Sequence, residues 1–130
     1  MVILDGAHNP EKMKALVTAM KVIFPDYKVT AIIAIKSGKN AKEMLQEIIP
    51  ICRKIIFTKF HLTTDLGDTF SYEPEELLKI AGDMKIPLLR SGSVRLLKNL
   101  KDFSSFTDLI LLTGSLYLVG EVRKFLISNY

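Results

Sequence analysis

The sequence lacks the features that mark secreted, membrane-embedded or disulfide-linked proteins. Cys52 is the single cysteine among 130 residues, so no internal disulfide can form. No apolar run reaches about 18 residues, the length that spans a bilayer as a helix. The first residues show no signal-peptide pattern. Together these absences predict a cytoplasmic protein in a reducing environment, with no membrane partner.

Aromatic residues are also few, at 8% of the composition, while the formal net charge is +4. A basic chain of this kind can bind nucleic acid when its positive charge is clustered on one face. Here the lysines are scattered, and no aromatic rings lie between them to stack on bases. We therefore expect no nucleic-acid partner and instead a mildly basic face that binds anionic small molecules.

Short apolar runs alternate with amphipathic segments along the whole chain, and apolar residues make up 48% of it. This alternation predicts one α/β domain over residues 1–130, with a Rossmann-like, mainly parallel sheet covered by helices on both faces. The predicted strands are residues 2–4, 29–35, 54–58, 86–89 and 109–112. Helices are predicted from Pro10, after Asn40, from Pro74, after Ser93 and after Ser115, with a long loop over 59–73.

Helical spacing of apolar residues predicts which side chains face the core. In the first helix these are Met13, Leu16, Val17, Met20, Ile23 and Phe24. In the last helix they are Val119, Val122, Phe125 and Leu126. Cys52 follows an apolar helix and is predicted to be a buried thiol, whereas Tyr72 is predicted to be structural or exposed.

Ligands of parallel α/β folds gather at the carboxyl ends of the strands, and the first loop there is residues 5–10 (DGAHNP). It joins a strand to a helix N-terminus, which suits a phosphate or a carboxylate. Asp5 can accept hydrogen bonds from a ribose, and His8 can donate to a phosphoryl or acyl oxygen. The alternative is that Asp5 or Asn9 only caps the helix, and the residues leave both interpretations open.

Two further loops follow predicted strands, residues 36–40 (KSGKN) and 113–117 (TGSLY). Lys39 can neutralise a carboxylate or phosphate, or it is a solvated lysine beside Asn40 as the cap of the next helix. Ser115 can bind an anion through its hydroxyl and N–H groups, or it is an ordinary N-cap. Neither loop matches a phosphate-loop glycine motif or a serine-nucleophile motif.

No metal site is predicted from the sequence. His61, Asp65 and Asp68 lie close together in the predicted long loop. Their spacing matches no standard set of metal ligands, so a surface loop is the interpretation that we favour.

Residues 5–10 (DGAHNP) and 113–123 (TGSLYLVGEVR) resemble two signatures of the C-terminal domain of folylpolyglutamate synthases and dihydrofolate synthases, which are Mur-ligase-family enzymes. The signatures lie near opposite ends of the chain in the family order, so the resemblance covers essentially all of it. The fold that it implies is the Mur ligase C-terminal domain, in agreement with the α/β prediction.

The resemblance implies an ATP-dependent ligase that adds L-glutamate to folate, the reaction of tetrahydrofolylpolyglutamate synthesis. ATP would phosphorylate a folate carboxylate, and the amine of glutamate would then displace phosphate from the acyl phosphate. It implies that Asp5, His8 and Asn9 bind the nucleotide, with His8 the catalytic residue, and that Lys39 and Ser115 bind glutamate. Many relatives carry a lysine-aspartate pair where this sequence has Lys39 and Asn40.

No phosphate loop or cluster of magnesium ligands occurs in the sequence. The resemblance assigns both, and hence the Mg²⁺ that accompanies ATP, to an N-terminal ATPase domain in cis that this sequence lacks. The chain alone is therefore expected to be inactive. Two alternatives remain open: the corresponding domain of a muramyl-peptide ligase, against which both signatures argue, and a stand-alone module that binds a nucleotide or an amino acid without catalysis.

Overall fold

The computed structural model describes residues 1–82, 84, 88–90 and 109–129. In this part of the chain, the main sheet has five strands in the order β1-β7-β2-β3-β6, and every pairing is parallel. Its strands are β1 (Val2–Leu4), β2 (Val29–Ile33), β3 (Cys52–Phe57), β6 (Leu88–Arg90) and β7 (Leu109–Thr113). The prediction of a parallel α/β sheet is therefore confirmed.

Four α-helices connect or follow these strands in the described residues. They are α1 (Pro10–Ile23), α2 (Ala41–Ile48), which a 3₁₀ turn extends over Ile49–Ile51, α3 (Pro74–Ala81) and α4 (Leu116–Asn129). Proline occupies the first turn of α1 and of α3, where its missing N–H removes no helical hydrogen bond.

Helices cover both faces of the sheet because successive strand residues point in opposite directions. Ala31 and Ile33 of β2 pack with side chains of α1, α2 and α3. Ile32 lies in a second cluster with Leu118 and Val122 of α4. All five residues of β2 are buried, as expected for a central strand of a parallel sheet.

The helical stripe predicted for α1 is correct except at its end. Met13, Leu16, Val17 and Met20 are buried, whereas Ile23 is 64% exposed. Ile23 is the last residue of α1, whereas Phe24, which follows it, is partly buried and packs against the core as predicted. In α4, Val122 is buried but Val119 is only half-buried, and Leu118 takes the inward position.

The prediction of a long loop over residues 59–73 is wrong, because most of this segment forms an antiparallel hairpin. Its strands are β4 (His61–Thr64) and β5 (Gly67–Phe70). A tight turn joins them, with Gly67 at φ +115°, a conformation that glycine adopts without steric penalty. The hairpin is largely exposed and adds no strand to the main sheet.

Other strand limits differ by a few residues from those predicted. Strand β2 ends at Ile33, β3 covers Cys52–Phe57, and β6 extends to Arg90, while residues 86 and 87 of the predicted fourth strand lie outside the described residues. The predicted helix after Ser93, which contains Val94, Leu97 and Leu100, lies outside the described residues, as do the side chains of Phe125 and Leu126.

Candidate functional site

The first and third loops meet at the carboxyl edge of the sheet because β1 and β7 are neighbouring parallel strands. The Asp5 N–H donates to the Leu112 carbonyl at 3.0 Å, and the Gly114 N–H donates to the Ala7 carbonyl at 3.1 Å. Helix α1 begins at Pro10, the last residue of the first loop, and α4 begins at Leu116, within the third. Two helix N-termini therefore lie side by side at this edge.

Two glycines allow this close approach. A Cβ at Gly6 would overlap the Leu116 side chain. A Cβ at Gly114 would lie 2.6 Å from the carbonyl oxygen of Ala34, which follows β2. Gly114 also has φ +104°, which L side chains rarely adopt. The third loop is therefore packed closely against the first loop and against the residue that follows β2.

The side chains of the first loop are engaged locally but keep free polar atoms. One carboxylate oxygen of Asp5 accepts the Ala7 N–H at 2.8 Å, which leaves its second oxygen for another donor. Asn9 is the N-cap of α1, since its Oδ1 accepts the Lys12 N–H at 2.8 Å. The capping interpretation thus holds for Asn9, but its amide NH₂ group can still donate.

His8 is half-buried, and its Nδ1 lies 3.0 Å from the carbonyl oxygen of Gly6. A carbonyl can only accept, so Nδ1 is the protonated nitrogen in this contact. The other nitrogen, Nε2, then accepts a hydrogen bond when the ring is neutral. It donates one only when the ring is protonated, so donation to a phosphoryl oxygen requires the imidazolium form.

Ser115 is buried, with 2% of its surface exposed, and it precedes the first residue of α4. Its Oγ accepts the Tyr117 N–H at 3.0 Å, and its carbonyl accepts the Val119 N–H at 3.2 Å. Ser115 is therefore an N-cap. Accepting a hydrogen bond uses a lone pair and not the hydroxyl proton, so Ser115 can donate to a ligand at the same time.

The second loop lies at the same edge because β2 neighbours β7. The Lys39 N–H donates to the Lys36 carbonyl at 3.2 Å, and Gly38 has φ +86°, as in a type II turn. Asn40 caps α2 by accepting the Glu43 N–H at 3.2 Å. The Lys39 side chain is exposed, so the turn presents it to solvent.

Tyr72 contacts this loop, and the sequence did not predict that contact. Its hydroxyl donates to the Lys39 carbonyl at 2.8 Å. A second missed contact joins Tyr117 of the third loop to Phe60, with ring centroids 5.4 Å apart. No local sequence pattern signals either contact, since Tyr72 and Lys39 lie 33 residues apart.

The predicted surface loop around His61 is the hairpin, in which His61 stacks on Phe70 with centroids 4.4 Å apart. Its Nε2 lies 3.5 Å from a carboxylate oxygen of Asp68. Across the described ranges, no three His, Cys, Asp or Glu side chains cluster as metal ligands. In the same residues, no helix is long and apolar enough to cross a membrane.

The chain is thus a parallel α/β domain in which two helix N-termini and a lysine-bearing loop lie at the carboxyl edge of the sheet, where the ligands of such folds gather. The sequence model of one family, described as the C-terminal domain of dihydrofolate synthetase, matches residues 1–125. The chain therefore belongs to this family, and the resemblance drawn from the two signatures is confirmed.

Curated relatives carry both names of the family. The chain is 27% identical over 135 residues to the dihydrofolate synthase/folylpolyglutamate synthase of Bacillus subtilis, covering 95% of this chain and 27% of the relative. It is 26% identical over 127 residues to the dihydrofolate synthetase of Saccharomyces cerevisiae, covering 95% and 30%. The chain thus spans less than a third of the length of these relatives.

Solved structures share the fold. Escherichia coli FolC in complex with ADP superposes with a TM-score of 0.81 at 21% identity, covering 98% of this chain and 29% of that one. Folylpolyglutamate synthase from Thermotoga maritima gives a TM-score of 0.77 at 28% identity, covering 100% and 28%. The likeness extends along the whole chain, and it confirms the Mur-ligase-type C-terminal fold.

Proposed function

We propose that this chain is the C-terminal domain of an ATP-dependent ligase that joins L-glutamate to a folate through an acyl phosphate. The observation that carries the proposal is the hydrogen bond from the Gly114 N–H to the Ala7 carbonyl, at 3.1 Å. It joins the two loops that bear the family signatures, so the groups proposed to bind ATP and glutamate lie at one site. The family match over residues 1–125 supports the same function.

The chemistry of this reaction needs positive potential rather than a strong base. Negative charge develops on the phosphoryl oxygens and on the acyl oxygen as phosphate is transferred and then expelled. The N-termini of α1 and α4 direct the positive ends of two helix dipoles toward the shared edge. Such preorganised dipoles stabilise developing charge without rearranging during the reaction.

In the proposal, the first loop binds ATP. The free carboxylate oxygen of Asp5 accepts a ribose hydroxyl, and the Asn9 amide donates to a phosphate while its oxygen caps α1. His8 acts on the reacting phosphoryl or acyl oxygen through Nε2, as an imidazolium donor. The contact of Nδ1 with the Gly6 carbonyl fixes the ring for this role. Among the relatives, FolC of E. coli has been solved with ADP, which agrees with a nucleotide site.

The second and third loops are proposed to bind the incoming glutamate. The Lys39 ammonium pairs with a glutamate carboxylate, and the Ser115 hydroxyl donates to the same substrate. Asn40 accepts a backbone N–H as the cap of α2. We therefore give Asn40 a structural role and assign the charge recognition to Lys39 alone.

The phosphate loop and the magnesium ligands are proposed to lie in an N-terminal domain of the same enzyme. The described part of this chain offers no cluster of metal ligands, so the proposal assigns none to it. A relative from Yersinia pestis has been solved with AMPPNP and a manganese ion, in agreement with a divalent metal at the complete site. Without the N-terminal domain, the chain binds its ligands weakly and does not catalyse ligation.

The test compares the 130-residue chain with the full-length ligase that carries it. Both are incubated with ATP, Mg²⁺, glutamate and either dihydropteroate or tetrahydrofolate, and ADP release and glutamate incorporation are measured. We expect glutamate- and acceptor-dependent ADP release from the full-length protein only. Absence of this activity from the full-length protein, together with tight nucleotide or amino-acid binding by the chain alone, would favour the stand-alone binding module. The two acceptors separate dihydrofolate synthase from folylpolyglutamate synthase activity.

A further inference from the structure

The last residue of the hairpin and the two residues that follow it connect the segments that leave two sheet strands. The Ser37 N–H donates to the Phe70 carbonyl at 3.0 Å, and the Tyr72 N–H donates to the Ile35 carbonyl at 2.8 Å. On the other side, the Ser71 N–H donates to the Phe60 carbonyl at 3.1 Å. Residues 70–72 thus lie between the segments that leave β2 and β3, and we call them the clamp segment.

Tyr72 extends the clamp segment to the turn that carries Lys39. Its hydroxyl donates to the Lys39 carbonyl at 2.8 Å, while its ring packs against the core on the α1 to α3 side of the sheet. The ring is therefore held by the core and the hydroxyl holds the turn. This side chain fixes the position of the Lys39 backbone relative to the sheet edge.

A fixed backbone matters for a lysine because its long side chain has many rotamers in solvent. Ordering such a side chain on a ligand costs conformational entropy, and a mobile main chain would add to that cost. The turn already fixes part of the geometry through Gly38, whose φ is +86°. The Tyr72 hydroxyl supplies a second, long-range restraint on the same residue.

We infer that Tyr72 is a positioning residue for glutamate binding, which acts by holding the Lys39 turn at the sheet edge. This inference rests on the proposed function, in which Lys39 binds a glutamate carboxylate. It extends that function to a residue outside both family signatures and outside the three loops at the strand ends.

The variant Tyr72→Phe in the full-length ligase isolates the hydroxyl, because it retains the ring and the backbone N–H. The Lys39 carbonyl still accepts the Ala41 N–H at 2.9 Å, so no buried acceptor is left without a partner. We expect the KM for glutamate to rise about three- to tenfold, the effect of one net hydrogen bond. The KM for ATP and kcat should stay close to those of the wild type.

The matched control is Tyr27→Phe, at the opposite edge of the sheet. Tyr27 precedes β2, is 52% exposed and packs edge-on against Phe24. Removing its hydroxyl should leave both KM values unchanged. A rise in the KM for glutamate in this control would show that loss of any tyrosine hydroxyl is enough, and it would overturn the inference.

A double-mutant cycle separates this inference from the proposed function. If Lys39→Ala raises the KM for glutamate and Tyr72→Phe adds nothing on that background, Tyr72 acts through Lys39 as inferred. The inference fails, and the proposed glutamate site stands, in two cases in which Lys39→Ala raises the KM for glutamate. In the first, Tyr72→Phe alone leaves that KM unchanged. In the second, the effects of the two substitutions on that KM are additive. If Lys39→Ala leaves the KM for glutamate unchanged, the proposed glutamate site fails and the inference fails with it.

Discussion

Replacement of Gly114 by alanine tests the close packing that brings the signature loops together. Gly114 has φ +104°, and an added Cβ would lie 2.6 Å from the Ala34 carbonyl oxygen and 3.1 Å from Ile33 Cγ2. The first neighbour is backbone at the end of a buried central strand, so it cannot turn aside as a flexible side chain would.

Two costs add in this variant. An L residue in the left-handed region costs about 1–2 kcal/mol, and overpacking at a close contact costs about 1–3 kcal/mol. We therefore expect Gly114→Ala to lose about 2–5 kcal/mol of unfolding free energy, the sum of these two ranges. Since a domain has only about 5–15 kcal/mol in total, the loss should be large.

Two other glycines provide matched controls. Gly38 also has positive φ, at +86°, but its added Cβ would meet nothing within 4 Å, so Gly38→Ala should lose only the strain of about 1–2 kcal/mol. Gly120 lies inside α4 with open space around it, and alanine there should gain about 0.5–1 kcal/mol.

The assay is urea unfolding of the chain followed by far-ultraviolet circular dichroism. With a slope of about 1–3 kcal/mol per molar urea, Gly114→Ala should lower the midpoint by about 0.7 M or more. The expected order of stability is Gly120→Ala, wild type, Gly38→Ala and then Gly114→Ala. If Gly114→Ala is as stable as Gly38→Ala, the contact with Ala34 contributes nothing and the reasoning is refuted.

Three further predictions concern single side chains. In the full-length ligase, His8→Ala should lower turnover about 10²-fold, the effect of removing one preorganised donor, with an unchanged unfolding temperature; unchanged turnover would contradict its catalytic role. Ser115→Ala should raise the KM for glutamate more than that for ATP and lower stability by about 1 kcal/mol through the lost cap; equal changes in both KM values would argue against a glutamate site there. Burial raises the pKa of the Cys52 thiol from 9.0 to about 12, although nearby Lys28 opposes the shift, so iodoacetamide at pH 8 should alkylate Cys52 only in the unfolded chain. The same shift stabilises the fold below about pH 9 and is lost as pH rises toward 12, because the unfolded thiol then ionises first; flat stability across that window would contradict burial of Cys52.

Most of the parallel sheet could be predicted because its strands are short apolar runs flanked by amphipathic helices. Strand β2 is an unbroken apolar-rich run, and all its residues are buried. The hairpin could not be found in this way. Residues 61–70 are mostly polar and exposed on both faces, so they show neither an apolar run nor an alternation, and only Gly67 marks their turn.

The loops of the site could be placed by topology, but their contacts could not. Parallel strands put all three loops at one edge, whichever strands are neighbours. The order β1-β7-β2 decides that the first and third loops touch, and sequence gives no pairing order. The contact of Tyr72 with Lys39 depends in addition on a hairpin that was not predicted, so no pattern near either residue could reveal it.

From the sequence, helix capping and ligand binding are competing roles for Asn9 and Ser115. The structure shows why the sequence could not decide between these two roles. Each side chain caps its helix by accepting a backbone N–H, Asn9 from Lys12 and Ser115 from Tyr117. Capping uses an acceptor, whereas an anion needs a donor, and both side chains retain donors. A residue type that suits one role at a helix N-terminus therefore suits the other. The cap also holds the donor in place, so at these two positions capping and anion binding support each other.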